Sequence, residues 1–390
     1  MIKRLLFFSL FLGIGFNALP QELSSNAKIS ILTISPGHEE LFAAFGHSAI
    51  HIQDPARKID KVYNYGTYYY NQPYFYLNFA RGYLLYGLSV TRYERFQAYY
   101  AYFNREIKAQ YLDLSTEQSQ AIFDYLENNS KPENQMYYYD YYYNNCATKI
   151  RDVFIEVLGD EFKIPEQYVE SPGKSLRHLQ DMYIEEEFPW GKLGIDLCLG
   201  LPVDKIASDY EYMYLPDYLY EGFAFAQIKN GDDWKSSVRN EKVILSSRPM
   251  EYAIPWFTPT VAFSILLLIG VLMFLLQVAK GWKFKLFDFI LFLFIGLVGL
   301  LLFLLWIATD HRAAADNFNI WWALPTHLVV AFALLRKKMR KWANWYFALL
   351  IPFSILLLLF WKVIPQDLNE GFIPIVFLVI IRSLAIILRK

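Results

Sequence analysis

The chain has 390 residues, 37 Lys+Arg against 38 Asp+Glu, 55% hydrophobic and 18% aromatic residues, and a mean hydropathy of +0.19. This composition excludes a disordered chain, which would be poor in aromatics and rich in charge, and it leaves no basic footprint for nucleic acid. Two cysteines, Cys146 and Cys198, exclude a disulfide framework, because one bridge is the most they can form.

Apolar residues crowd the start. Leu5–Phe16, behind Lys3 and Arg4, is about a dozen residues long, short of the roughly 20 that a bilayer needs. With a small residue at Ala18, it reads as a secretory signal peptide over residues 1–20, an uncleaved anchor being the alternative. No Cys follows it, so the chain is not itself a lipoprotein. Residues 21–255 are polar and tyrosine-rich and predict an α+β domain. Strands are expected at Lys28–Ile34, Ser48–Ile52 and Val62–Tyr70, and helices at Arg92–Asn104, Thr116–Glu127 and Ala147–Leu158. Asp113-Leu-Ser115 supplies a cap for the second helix, and Gly159 closes the third.

At Pro255 the composition changes. Residues 256–390 predict an all-α domain of five transmembrane helices, at about 257–279, 286–308, 320–335, 344–362 and 371–388. Asp288 and Arg382 are charges inside two of them. Lys280–Lys285, Arg336–Lys341 and Arg389-Lys390 are basic, whereas Thr309–Asn319 and Lys362–Gly371 hold one basic residue each. The positive-inside rule puts the first set in the cytoplasm, with the C-terminus, and the soluble domain outside. The signal peptide independently gives the same topology. The expectation is a multi-pass inner-membrane protein with a periplasmic N-terminal domain.

Six histidines are present, three of them within Gly37–His51. His47 and His51 have a spacing that would bind zinc on a helix. The alternating run around them is strand-like, however, and sets them roughly 13 Å apart, too far to share a metal. No metal or cofactor is expected. The stronger signal is Cys146 in Asn144-Asn-Cys-Ala-Thr, directly ahead of a run with apolar residues at 150, 153, 154, 157 and 158. Asn144 or Asn145 is a good N-cap, so Cys146 falls in the first turn, where free N–H groups and the helix dipole favour a thiolate. A lone Cys is more commonly inert packing, the reading given to Cys198. A nucleophile needs a base oriented by a third group. His47 opens one strand, and Tyr63-Asn64-Tyr65-Gly66 on the next offers the third group across a hairpin.

Phe45-Gly-His47-Ser-Ala-Ile-His-Ile52, then Tyr63-Asn-Tyr-Gly-Thr67 and Asn144-Asn-Cys-Ala-Thr-Lys-Ile-Arg-Asp152, resemble the N-terminal periplasmic domain of the Bacteroidetes-type lipoprotein N-acyltransferase family. Trp190–Asp196, Met213–Pro216 and the loop with Asp310, His311, Asn317, Asn319 and Trp322 resemble later parts of that family. More distantly, His47 ahead of Asn145-Cys146 is similar to the lecithin–retinol acyltransferase group, whose papain-like core is permuted so that His precedes Cys. That group often carries a second His on the following strand, where this chain offers Tyr or Asn. The resemblance implies an acyltransferase. On that resemblance Cys146 is expected to take an acyl chain from a membrane phospholipid as a thioester, with His47 as base and Asn64 as orienting group, and to pass it to the N-terminal amine of a diacylated lipoprotein.

Asn145, Tyr65, Arg151, Asp310 and His311 are the candidate substrate-binding residues. For Arg151, as for Arg105, the plainer reading is a solvated helix face, and Asp310 and His311 could simply face water. Tyr137–Tyr143, six tyrosines in seven residues, could form a lip at the membrane interface or an aromatic layer of the core. Two other functions fit parts of the pattern. A cell-wall peptidase would share the Cys and His but leave five spans unexplained, and a non-enzymatic membrane scaffold would make both residues structural. A Cys146–Cys198 disulfide would disable the nucleophile.

Overall fold

The computed structural model describes residues 21–69, 71–249, 252–336 and 341–389. The expected signal peptide and the last residue of the strand expected at Val62–Tyr70 lie outside the described residues. A mixed helix–sheet domain is followed by a helical one, the class expected.

The strands are β1 (Lys28–Ile34), β2 (His47–Asp54), β3 (Ile59–Tyr68), β4 (Leu85–Arg92), β5 (Ile107–Leu112), β6 (Met136–Tyr138), β7 (Phe162–Lys163), β8 (Gln227–Asn230), β9 (Asp233–Ser236) and β10 (Val238–Leu245). Seven form one antiparallel sheet in the order β10-β5-β1-β2-β3-β4-β6, and β7-β8-β9 form a small second sheet. Helices α1 (Phe75–Arg81), α2 (Tyr93–Tyr102), α3 (Thr116–Asn129), α4 (Cys146–Leu158), α5 (Leu176–Ile184), α6 (Pro189–Cys198), α7 (Asp209–Tyr212) and α8 (Pro216–Phe225) complete the domain. Strand alternation sends Ile31, Ile50, Ile52, Tyr63 and Tyr65 to a face covered by α3 and α4. Leu32, Ile34, Ala49 and Val62 go to the opposite face, covered by Phe96 and Tyr100 of α2. Both faces are therefore covered, and β2 is buried along nearly its whole length.

The second domain holds α9 (Pro259–Lys280), α10 (Lys285–Ala308), α11 (His327–Leu334), α12 (Lys341–Leu359) and α13 (Ile373–Ile387). Among the described residues, four helices are long and apolar enough to cross a membrane. The helix expected over 320–335 differs. Its first part is a 3-10 turn at Phe318–Trp321, and α11 has only eight residues. Pro325 explains the break, since it biases Leu324 out of helical geometry and has no N–H to donate. The irregular backbone packs on α10 at Gly296 and Gly299, where any side chain would collide with residues 323–328. Non-helical backbone at that depth is tolerated when protein covers it. The segment still reaches the level of the α10 start, because Lys285 Nζ donates to the Arg336 carbonyl at 3.4 Å.

Asp288 and Arg382, the two charges inside spans, meet. Arg382 Nε and Nη2 donate to the two Asp288 oxygens at 2.6 and 3.1 Å, and Arg389 also pairs with Asp288. Removing one member strands the other in an apolar setting, at about 3–5 kcal/mol. Asp288→Ala should therefore lower the thermal unfolding midpoint of the full chain in detergent. Asp288→Leu combined with Arg382→Leu should recover most of the loss. Equal loss in the single and double variants would show that the pair is not what holds these helices.

The soluble domain is seated on the helices by a buried polar relay. Arg177 donates to Asp204 Oδ1 (2.7 Å) and Asp196 Oδ1 (2.8 Å), and the other Asp196 oxygen accepts from Asn369 (2.8 Å). Asn319 donates to the Asp196 carbonyl at 2.9 Å, Asn317 to the Leu197 carbonyl at 2.8 Å and Gln366 to the Leu199 carbonyl at 2.9 Å. The loops around 309–319 and 362–371 thus lie on the side of the soluble domain. The basic Lys280–Lys285 link, between the α9 end and the α10 start, lies at the other end of the bundle.

Candidate active site

Cys146 is the first residue of α4. Asn145 caps the helix: its Oδ1 accepts from the N–H groups of Ala147 (2.9 Å) and Thr148 (3.0 Å), and Thr148 Oγ1 accepts from the Asn145 N–H (2.7 Å). The Asn145 amide group donates to the carbonyls of Tyr141 and Tyr214, each at 2.8 Å. One buried side chain thus ties the helix start to the tyrosine run and to the link between α7 and α8. Asn145 positions the cysteine, and its amide is fully engaged in doing so.

Strand β3 makes room for the sulfur. Its pairing with β4 is irregular between Asn64 and Thr67, and Gly66 lies there with φ of 87°, a conformation that glycine adopts at no steric cost. A Cβ on Gly66 would stand 3.4 Å from Cys146 Cβ and 3.7 Å from the Tyr139 ring. With none there, the cysteine settles against β2 and β3. The N–H of Ser48, the residue after His47, reaches its sulfur, as do those of Ala147 and of Cys146 itself.

His47 opens β2 opposite Ile34. The β2–β3 register, Ile50 to Tyr63 and His51 to Val62, continued by three residues, sets Asn64 diagonally across from His47 on the same face. The Asn64 side chain hydrogen-bonds the His47 ring. Its Nδ2 faces the Val62 carbonyl (3.4 Å) and Thr91 Oγ1 (3.5 Å), leaving the amide oxygen to accept from the ring. Tyr63 and Tyr65 point to the other face, where their hydroxyls donate to Glu127 (2.5 Å) and Asn129 (2.6 Å) of α3. Of the three neighbours considered for an orienting group, Asn64 is the one on the histidine. His51 is held elsewhere, by Asp60 at 2.7 Å and by stacking on Tyr93.

Tyr100 stacks over His47 with ring centroids 6.4 Å apart, and the Arg105 guanidinium lies 5.1 Å from the Tyr100 ring. Burial first, then the charge of Arg105, pulls the His47 ring down to about 4, against the raising effect of Asn64. Burial pushes the Cys146 thiol up, against the lowering effect of the surrounding N–H groups and Arg105. This reverses the expected thiolate: the helix start acts in the anticipated direction, but desolvation outweighs it. At neutral pH Cys146 is then a thiol and His47 an uncharged imidazole. The proton would then move as sulfur attacks, not beforehand. Tyr137, Tyr139 and Tyr141 all lie close enough to feel a charge on Cys146, so the tyrosine run walls the site, while Tyr138 and Tyr143 remain exposed.

Other candidates lie apart from this cluster. Arg151 is five residues along α4, roughly 140° round from Cys146. It is buried, donates to Asp152 (2.8 Å) and the Tyr210 carbonyl (3.0 Å), and lies 3.6 Å from the Tyr210 ring centroid. Arg105 is likewise buried, on the Ser35 carbonyl and Glu39. Neither forms the solvated face that the sequence suggested. The Asp310 N–H donates to the Arg81 carbonyl (2.9 Å) and His311 Nε2 bonds the Phe79 carbonyl (2.9 Å), so both face α1. Cys146 and Cys198 are free thiols. Sequence reasoning missed the Ser48 N–H and the electrostatic role of Arg105. It quoted Gly66 only as part of a motif, although a glycine interrupting a strand pattern is itself a signal of close approach.

Fold and site define a protein carried by apolar helices whose soluble domain sets a cysteine at a helix start against the strand that a histidine opens, with an asparagine of the next strand on that histidine. Residues 17–178 match the model of the Lnb N-terminal periplasmic domain and residues 251–390 that of the Lnb transmembrane domain. The chain belongs to the Lnb-type lipoprotein N-acyltransferase family. It is an inner-membrane protein with a periplasmic N-terminal domain. No curated protein and no solved structure matches it.

Proposed function

We propose that this protein moves an acyl chain from a membrane phospholipid to the N-terminal amine of diacylglyceryl-cysteine in lipoproteins, through a thioester on Cys146. The observation that carries this reading is the Cys146 sulfur at the start of α4, against the strand that opens with His47. In the first step sulfur attacks an ester carbonyl of the phospholipid while His47 accepts the thiol proton. The C–O bond breaks, and the lyso product leaves with that proton. In the second step the lipoprotein amine attacks the thioester carbonyl and the C–S bond breaks. An amide forms, and the amine's proton returns through His47 to Cys146. Asn64 holds the ring by its amide oxygen. The Cys146 N–H, which lies outside the Asn145 cap, faces the developing oxyanion, a contribution of roughly 3–4 kcal/mol for one well-placed donor. Residues 21–255 act in the periplasm, five crossings hold donor and acceptor beside them, and the C-terminus is cytoplasmic. The placement of the basic Lys280–Lys285 link away from the soluble domain supports this orientation.

Purified protein incubated with labelled phospholipid should acquire a hydroxylamine-labile lipid on the Cys146 peptide. A diacylated lipopeptide should discharge it, giving the N-acyl product by mass spectrometry. A protein that never acquires the label, yet yields N-acylated lipopeptide, would replace the two-step route by direct transfer. With neither label nor product, the acyltransferase reading fails.

A further inference from the structure

Helix α1 serves no packing purpose in the soluble domain: none of its side chains is buried. Tyr74, Tyr76, Leu77 and Phe79 are 78, 82, 55 and 50% exposed. A seven-residue helix has no stability of its own in water, and this one presents apolar residues where a solvated helix would carry polar ones. Its position is fixed by the bond from the Asp310 N–H to the Arg81 carbonyl and by that between His311 Nε2 and the Phe79 carbonyl, directly beyond the α10 end at Ala308. Near that end Trp306 and Ile307 are exposed on the lipid-facing surface. Topology thus sets α1 at the depth where aromatic side chains favour a bilayer.

From α1 the chain leads straight to the cysteine. Tyr83, two residues past the helix, lies under Arg81 at 4.9 Å. Tyr86 stacks on Tyr139 with centroids 4.3 Å apart, and Tyr139 borders the Gly66–Cys146 contact. The four steps from Gly82 to Tyr86 span at most roughly 13 Å. We infer that α1 lies in the outer leaflet as a lip, and that membrane lipid passes over it along the Tyr83–Tyr86–Tyr139 wall to reach Cys146. The occupant is bilayer lipid. Continuity with the α10 end argues for it, as does the lack of an ionised side chain on α1 before Arg81.

The structural arm of the test is independent of activity. A nitroxide on Leu77→Cys, in the full chain carrying Cys146→Ser and Cys198→Ala and reconstituted in phosphatidylethanolamine–phosphatidylglycerol vesicles, should be relaxed far better by oxygen than by a water-soluble nickel chelate. A label at exposed Asn230 should show the reverse. A label at 77 that behaves like the one at 230, or that is shielded from both reagents by a protein partner, overturns the lip. The functional arm rests on the acyltransferase reading. Leu77→Asp with Phe79→Asp should slow Cys146 acylation from vesicle phospholipid about ten-fold or more, and leave acylation by a water-soluble short-chain thioester within about two-fold. Equal loss with both donors would mean that α1 only supports the site wall, which also overturns the proposal. If no donor labels wild type while the nitroxide reports lipid, the lip stands and the acyltransferase reading falls.

Discussion

Cys146→Ala and Cys146→Ser should abolish N-acylation of lipoproteins, with expression and membrane insertion unchanged. The fold does not depend on the sulfur. The helix start is held by the bonds of Asn145 to residues 141, 147, 148 and 214, and either replacement is smaller than or similar to cysteine. The chemistry does depend on it. A serine hydroxyl is a far weaker acid than a thiol, and a buried imidazole titrating at about 4 is too weak a base to activate it. Serine therefore gains nothing over alanine. Mass spectrometry of lipoprotein N-terminal peptides from cells carrying each variant should show only diacylated forms. Triacylated peptide at the wild-type level in Cys146→Ala would refute the nucleophile. Cys198→Ala should be nearly silent, because that thiol is free and only packs.

His47→Ala should slow thioester formation by about 100-fold or more, the usual contribution of a positioned base, and should also change the pH profile. In wild type His47 must be uncharged to take the proton. Its value is lowered to about 4, so the competent form persists well below the ordinary histidine range. The rate should hold steady from neutral pH down to mildly acidic pH and fall only near 4. The Asn64 bond raises His47, so Asn64→Ala should move this acid limb lower still while reducing the rate through lost ring orientation. His47→Ala should lack the limb entirely. The measurement is the initial rate of Cys146 labelling against pH. An acid limb near the unperturbed value of about 6.5 would show that the site hydrates on lipid binding. Wild-type labelling by His47→Ala would remove His47 from the mechanism.

Local signals made some elements readable in advance. β1 is a short run rich in Ile and Thr and Ser48–Ile52 alternates, α3 and α4 carry side-chain caps at Ser115 and Asn145, and four spans are long apolar runs. The placement of Cys146 at a helix start, His47 at a strand start and Asn64 across the hairpin is legible for the same reason, since a cap, a strand start and a hairpin neighbour are short-range features. Non-local features are not. The break at Pro325 depends on α10 glycines that accept irregular backbone. Helix α1 buries nothing, so it leaves no amphipathic pattern to find. Arg105, two residues before β5, acts on His47 through tertiary packing. The protonation state of the pair follows from burial, which no spacing of residues reveals.

The relay from Arg177 through Asp196 to Asn319 and Asn369 has a consequence for how lipid is selected. It clasps the soluble domain to the helix bundle through buried bonds, so the sulfur stands at a set elevation over the hydrocarbon. An enzyme on a loose tether could dip to meet any carbonyl. In the proposed transfer that elevation would work as a gauge: each substrate carbonyl would have to rise to the same height, and the work of lifting would grow with the number of methylenes drawn out of the leaflet.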